Sequence, residues 1–190
     1  VDEVDFFLTH SPHCSSSLPP DHEALKHWAF GHLFDVEKVL QLTTIDLKSA
    51  LSKAGVDYID WYKSDSQGTD MRIFDSLPKY IINKILAAEF EPGIIDAYQG
   101  EDKLHNLMAY MDKEQFWITN MEIKGSQRIK KEDLASLNYL QRRSIGSFLK
   151  IAPGWCEISY LNKMDDDKMT LREYLLAWVF ASINAEHGFA

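Results

Sequence analysis

The sequence is poor in cysteine, since Cys14 and Cys156 are its only two cysteines in 190 residues. Two cysteines are too few for the disulfide framework of a small secreted scaffold, and these two lie too far apart in sequence for a zinc knuckle. One bridge between them would tie the N-terminal segment to the second half of the chain. Spacing in sequence does not give distance in space, so a bridge and two free thiols both stay open.

Long apolar runs and basic clusters are also missing. The richest apolar run, at residues 174–183, is about half as long as the roughly 20 residues that a membrane helix needs. We therefore expect no membrane span. Acidic residues outnumber basic ones by 29 to 20, and no basic cluster is larger than a pair. A net charge of −9 repels phosphate backbones, so we expect no nucleic-acid partner.

The common catalytic motifs are absent as well. The sequence has no glycine-rich phosphate loop, no G-x-S-x-G elbow, no H-E-x-x-H pair and no cysteine in the context of a thiol protease. We therefore expect a protein that is not an enzyme. An enzyme on an unfamiliar helical fold stays open as a third class.

Apolar residues make up 45% of the chain and aromatic residues 12%, which indicates a folded globule. A Ser- and Pro-rich stretch predicts an irregular arm over residues 1–22. Pro92-Gly93 and Gln99-Gly100 are the best boundary signals, so we place a first half at 23–96 and a second at 97–190. One helix is expected from near His22, and a second is expected after Thr44, where Asp46 or Thr44 caps its start and Gly55 ends it.

The two halves share a layout of helix, loop with a β-forming residue, and helix. This layout is typical of the EF-hand, whose twelve-residue loop supplies oxygen ligands and ends in a carboxylate. Four segments fit the template in part: 35–46, roughly 64–75, 122–133 and 162–173. We therefore expect a mainly α fold of tandem EF-hand-like helix-loop-helix pairs with short β-bridges. The alignment of the halves superposes the pairs Phe30 and Trp117, Asp35 and Glu122, Leu42 and Ile129, and Asp46 and Asp133.

The text WCEISYLNKMDDDKMTLREYLLAW resembles the last hand of the extracellular calcium-binding domain of the SPARC (osteonectin) family. The preceding FWITNMEIKGSQRIKKEDLASL looks like the hand before it, so the resemblance covers residues 115–180. It implies that a Cys-bearing helix leads into an acidic loop and an aromatic exit helix. Together with the paired cysteine count and a first residue other than Met, it favours a secreted protein.

Calcium is the expected ligand of these loops, if any loop binds a metal ion. The alternative is that the acidic residues are only helix caps and solvated charges. The candidate ligands in the fourth loop are Asn162, Asp165, Asp166 and Glu173, and those in the first loop are Asp35, Glu37 and Asp46.

A second metal hypothesis concerns His10, His13 and Cys14, which lie close enough in sequence to share a soft divalent ion. Such a cluster in a Ser- and Pro-rich arm is more often incidental.

The function expected from these patterns is that of a non-enzymatic binding or scaffold protein. It would recognise a protein partner through an apolar surface rich in aromatic residues, and its negative charge would steer it toward basic partners. The alternative is a functional four-EF-hand calcium sensor or buffer.

Overall fold

The structure is a computed structural model that describes residues 3–165 and 169–190. In these two ranges the chain forms eight α-helices and six strands. The strands are β1 (Glu3–Thr9), β2 (Val36–Thr43), β3 (Trp61–Lys63), β4 (Ala87–Phe90), β5 (Phe116–Ser126) and β6 (Ala152–Asn162). The helices are α1 (His22–Leu25), α2 (Leu47–Ala54), α3 (Asp70–Asp75), α4 (Lys79–Ile82), α5 (Leu104–Met111), α6 (Lys131–Ala135), α7 (Tyr139–Phe148) and α8 (Leu171–Ile183).

The fold is α/β, so the expectation of a mainly α fold of helix-loop-helix pairs was wrong. The first expected loop, at 35–46, is largely strand β2, and the helices expected before the third and fourth loops are strands β5 and β6. Leu42 pairs with Val4 of β1 and does not bridge to Ile129, which follows β5 in an irregular segment. The reason is periodicity: in β6, buried Cys156, Ile158 and Tyr160 alternate with less buried residues, which is the period of a strand.

The main sheet has four strands in the order β3-β4-β6-β5. Strands β3 and β4 are parallel, as Tyr62 pairs with Ala88, and the chain between them runs through α3 and α4. Strand β6 is antiparallel to both β4 and β5. Strands β3, β4 and β5 therefore share one direction, and their carboxyl ends lie at the same edge of the sheet as the beginning of β6.

Helices cover both faces of this sheet. On one face, a core of aliphatic and aromatic side chains joins α3, α4 and α5 to the strands, with Phe74, Ile82 and Leu107 fully buried. On the other face, Ala181 of α8 packs against Ala87 and Leu161. Burying these apolar surfaces is the main source of stability for such a layered arrangement.

Strands β1 and β2 form a separate antiparallel pair, in which Phe6 lies opposite Leu40. The segment that follows β1 was expected to be an irregular arm, but it is held in place by backbone hydrogen bonds. Asp21 N donates to Ala97 O at 2.9 Å, and Gln99 N donates to Pro19 O at 2.9 Å. The arm thus packs against Ala97 and Gln99 of the expected second half, and β4 and β6 from the two expected halves share one sheet.

Two expected helices are present, and a side-chain cap begins each of them. Asp46 accepts a hydrogen bond from Ser49 N at 2.8 Å and begins α2. Gly55, with a φ of 68°, ends it, since glycine adopts the left-handed conformation without steric cost. A capping box of Thr170 and Glu173 begins α8, at the point where the aromatic exit helix was expected.

Candidate functional site

A cavity of about 640 Å³ lies at the edge of the sheet where β3, β4 and β5 end. Ligands of α/β proteins bind in this position, outside the carboxyl ends of parallel strands. The volume falls within the range of roughly 300–1,000 Å³ that is usual for small-molecule sites. Four segments distant in sequence line it: residues 11–15, 30–34, 65–68 and 91–101, together with Gly125, Ser126, Gly154 and Trp155 from the ends of β5 and β6.

The loop from β3 to α3 forms one wall and is organised around Asp70, which is only 2% exposed. One oxygen of its carboxylate accepts hydrogen bonds from Ser64 Oγ at 2.8 Å and Ser66 N at 2.7 Å, and also from Ser66 Oγ. The other accepts from Glu91 N at 2.9 Å. Asp70 therefore holds the ends of β3 and β4 together, which a buried carboxylate can do only when donors satisfy it.

Gln67 and Gly68 lie in the same loop and have φ values of 54° and 104°. A positive φ costs little for glycine but strains a residue such as glutamine. The strain at Gln67 is offset by two contacts, since its backbone oxygen accepts from Ser16 Oγ at 2.7 Å and its side-chain oxygen accepts from Tyr98 Oη at 3.0 Å. Backbone strain of this kind is found most often at functional sites.

The segment from Glu91 to Asp102 forms the opposite wall. A Cβ on Gly93 would lie 2.5 Å from a carboxylate oxygen of Glu101, so a larger residue there would displace the Glu101 side chain. The Glu101 carboxylate accepts from Ala97 N at 2.7 Å and lies 3.3 Å from Lys103 Nζ. Asp102 joins this wall to the first one, because its carboxylate accepts from Arg72 Nε at 3.1 Å and from one Arg72 Nη at 2.9 Å.

The N-terminal arm closes the cavity from the side. Tyr98 Oη donates to Cys14 O at 2.9 Å, which fixes the short 3₁₀ turn Pro12–Cys14 at the rim. Aromatic rings supply the rest of this side. The ring centroids of Phe34 and Tyr98 are 5.4 Å apart, and those of Phe30 and Trp155 are 6.1 Å apart at an interplanar angle of 78°. Phe30 and Trp155 thus form two nearly perpendicular apolar walls.

Acidic side chains dominate the polar part of the lining. Asp65, Glu91 and Glu101 line the cavity, and among the described residues the lining contains no lysine or arginine. Burial raises the pKa of Glu91, and the negative charges of Asp65 and Glu157 raise it further. Burial also raises the pKa of Glu101, against the lowering effect of Lys103. The negative charge near Glu91 is therefore only partly compensated within the protein.

The structure does not bring the expected calcium ligands of the first loop together. Glu37 lies 3.1 Å from His10 Nδ1, and Asp46 is used as the cap of α2. Asp35 precedes both in sequence and lies directly before β2.

In the fourth loop, the side-chain amide of Asn162 donates to Ile85 O at 2.9 Å and its oxygen accepts from Met164 N at 2.9 Å. Glu173 belongs to the capping box of α8, while Asp165 is exposed and Asp166 lies outside the described residues. Within residues 3–165 and 169–190, no three His, Cys, Asp or Glu side chains are grouped as a metal site. Calcium binding stays a prediction.

The histidine and cysteine cluster is also dispersed. His10 pairs with Glu37, whereas His13 and Cys14 line the cavity. Cys14 and Cys156 are both free, so the bridge that the sequence left open is not formed. Burial raises the pKa of each thiol, which favours the neutral form.

An exposed apolar stripe runs along α8. Leu171, Leu175, Trp178 and Ile183 are each more than half exposed. Such a stripe has the character of the expected protein-binding surface, but no partner is present and that role stays a prediction. Of the helices in the described part of the chain, none is long and apolar enough to cross a membrane, as the sequence predicted.

The cavity was not predicted from the sequence. Pro92-Gly93 and Gln99-Gly100 were interpreted as boundary signals, although both lie in the segment that carries Glu91, Tyr98 and Glu101. A usable signal was present in two places: a short run with buried apolar residues, at Trp61–Lys63 and Ala87–Phe90, is followed at once by acidic residues and a glycine. This pattern predicts strand ends that carry polar groups.

Comparison of the chain with protein-family models, with curated proteins and with solved structures finds no match. The comparisons therefore neither support nor refute the resemblance to the SPARC family.

Proposed function

We propose that the protein binds a small organic molecule in the cavity at the carboxyl ends of β3, β4 and β5. The observation that carries this proposal is that three features lie together at one edge of the sheet. The cavity lies where parallel strands of α/β sheets present their ligands, and the same edge holds the strained Gln67 and the partly compensated charge of Glu91. The stability of the fold alone does not require backbone strain and an unpaired charge at the same edge of the sheet.

Support also comes from how rigidly the walls are built. Asp70 joins the ends of β3 and β4, and the Arg72–Asp102 pair joins the two loops that follow them. A pre-formed site loses little conformational entropy when a ligand binds. More of the free energy of its contacts with the ligand therefore contributes to affinity. A cavity of this size that is lined by aromatic rings and a few polar groups is suited to a ligand of some 10 to 20 heavy atoms.

The test is ligand-detected NMR with a mixed set of neutral, anionic and cationic fragments. We expect some fragments to bind at one shared site in the wild-type protein. Binding should be lost in Ser126→Trp, because Ser126 lines the cavity and an indole would fill part of it. Met121→Trp is the matched control, since Met121 lies on the same strand, is 38% exposed and is not part of the lining.

Ala97→Leu serves as a second filling variant in case Ser126→Trp does not fold, because Ala97 also lines the cavity. Circular dichroism checks that each variant is folded. The proposal fails if no fragment binds, or if the bound fragments are displaced by neither filling variant.

A further inference from the structure

The lining of the cavity narrows the chemistry of its ligand. It contains the carboxylates of Asp65, Glu91 and Glu101, and the only basic side chain among its described residues is that of His13. An anionic ligand would meet like charge on entering a site of low dielectric, where repulsion is strong. Phosphorylated and carboxylated molecules are therefore disfavoured.

A bare metal ion does not fit either. No three potential ligand side chains converge within the part of the chain that the structure describes, and the cavity is far larger than one ion with its coordination shell. The carboxylates lie instead on two facing walls, with Asp65 on the loop after β3 and Glu91 and Glu101 on the opposite one, and the aromatic rings lie on a third side. A ligand that fills this space has to combine positive charge with an organic body.

The carboxylates differ in how well the protein satisfies them. Glu101 is paired with Lys103 and accepts from Ala97 N, while Asp65 accepts from the side-chain amide of Gln67 at 2.5 Å. No described residue donates a hydrogen bond to the carboxylate of Glu91, although that carboxylate is partly buried. A bound cation would supply the charged partner that this carboxylate does not find among the described residues.

The aromatic walls suit the same ligand. Phe30 and Trp155 present nearly perpendicular rings, with their centroids 6.1 Å apart. The faces of aromatic rings attract cations, and cages of such rings are used to bind alkylammonium groups. A cationic head group in this cavity would therefore lie near both carboxylates and aromatic rings.

We propose that the ligand is an organic cation of the alkylammonium class, held between the carboxylates of Asp65 and Glu91 and the rings of Phe30 and Trp155. This inference rests on the proposed function, since it identifies the ligand class of the same cavity. The overall charge of −9 would also raise the local concentration of such a ligand.

Choline and its uncharged isostere 3,3-dimethylbutan-1-ol provide the test, because they have the same shape and differ only in charge. We expect choline to bind at least about tenfold more tightly, as a desolvated cation gains from both carboxylate and ring contacts. Glu91→Gln should weaken choline by about tenfold and leave the alcohol unchanged. Glu89→Gln is the control, since Glu89 lies two residues earlier, pairs with Lys63 and is not in the lining.

Equal binding of choline and the alcohol would overturn the inference, as would an unchanged choline affinity in Glu91→Gln. The two proposals can fail separately. If choline does not bind but neutral or anionic fragments bind and are displaced by Ser126→Trp, the cation inference fails and the binding function stands. If nothing binds in the cavity, both fail.

Discussion

The apolar core and the cavity at the carboxyl edge of the sheet differ in the groups that they bury. Between the sheet and helices α3, α4 and α5, the core around Phe74, Ile82 and Leu107 is apolar and closely packed. At the carboxyl edge, Asp70, Glu101 and other polar groups are buried around an open cavity. Burying apolar groups stabilises a fold, whereas burying charge costs free energy unless every group is satisfied. The difference agrees with the proposal that the core serves stability and the edge serves binding.

The largest effect should come from removing the central ring of the apolar region. Phe74 is 0% exposed and contacts the rings of Tyr62 and Phe90 at centroid distances of 5.0 and 5.3 Å. Phe74→Ala should lower the free energy of unfolding by about 3–5 kcal/mol, as it leaves a cavity in a packed core. Urea denaturation measures the change.

Phe148→Ala is the control for this prediction, since Phe148 is 84% exposed. Its substitution should change the free energy of unfolding by about 0.5 kcal/mol or less. A loss in Phe74→Ala below about 1 kcal/mol would show that the core is not the stabilising region, and the comparison would break down.

How much of the fold could be predicted from the sequence depends on whether each element is determined by neighbouring residues or by residues distant in the chain. Helix α2 was predicted from end to end, because Asp46 and Gly55 act on their own neighbours in the chain. Strands β5 and β6 were mistaken for helices, since a short apolar run such as Phe116, Trp117 and Ile118 does not distinguish a helix from a strand when read alone. Their identity depends on pairing, as Trp117 lies opposite Leu161 across a long loop.

The cavity was harder to predict from the sequence than the strands. It is assembled from segments that meet only after the sheet has formed, so no single stretch carries its pattern. Asp46 was expected both as a helix cap and as a candidate calcium ligand and Glu173 as a candidate ligand, and in the structure both carboxylates take part in helix caps. The same carboxylate serves either role in a local pattern, and the long-range fold decides between them. Acidic side chains after Lys63 and Phe90 were the only local trace of the site.

A smaller effect distinguishes satisfied from unsatisfied polar groups in the two regions. Tyr98, at the cavity, donates to Cys14 O and contacts Gln67 Oε1. Tyr160, in the core, has a buried hydroxyl that finds no partner among the described residues. Tyr98→Phe should cost about 1–2 kcal/mol of unfolding free energy, whereas Tyr160→Phe should be neutral or stabilise the protein by up to about 1 kcal/mol.

The two tyrosines are a matched pair, because both are nearly fully buried and each substitution removes one hydroxyl. Thermal or urea denaturation of both variants measures the difference directly. Equal losses would mean that the hydroxyl of Tyr160 is satisfied, and a neutral Tyr98→Phe would mean that the arm is not held at the cavity by this residue.

The smallest effect links stability to binding. Burial raises the pKa of Glu91, and the carboxylates of Asp65, Glu157 and Asp70 add to this while Lys63 opposes it. A raised pKa means that the folded state binds the proton more tightly than the unfolded state. The ionised Glu91 therefore destabilises the fold as pH rises through its raised value, and it has no such effect below the ordinary glutamate pKa of about 4.3.

Glu91→Gln should accordingly be more stable than the wild type at pH 7, by up to about 1 kcal/mol, the usual gain from removing an unfavourable charge. The gain should shrink as pH falls and vanish near pH 4, which urea denaturation at a series of pH values would show. Glu89→Gln, which loses the pair with Lys63, should show no gain at pH 7.

A residue that lowers stability at neutral pH while lining a cavity is retained at a cost, and that cost is explained if the carboxylate binds a ligand there. A Glu91→Gln variant that is no more stable than wild type at pH 7 would remove this argument and leave the two regions alike in stability.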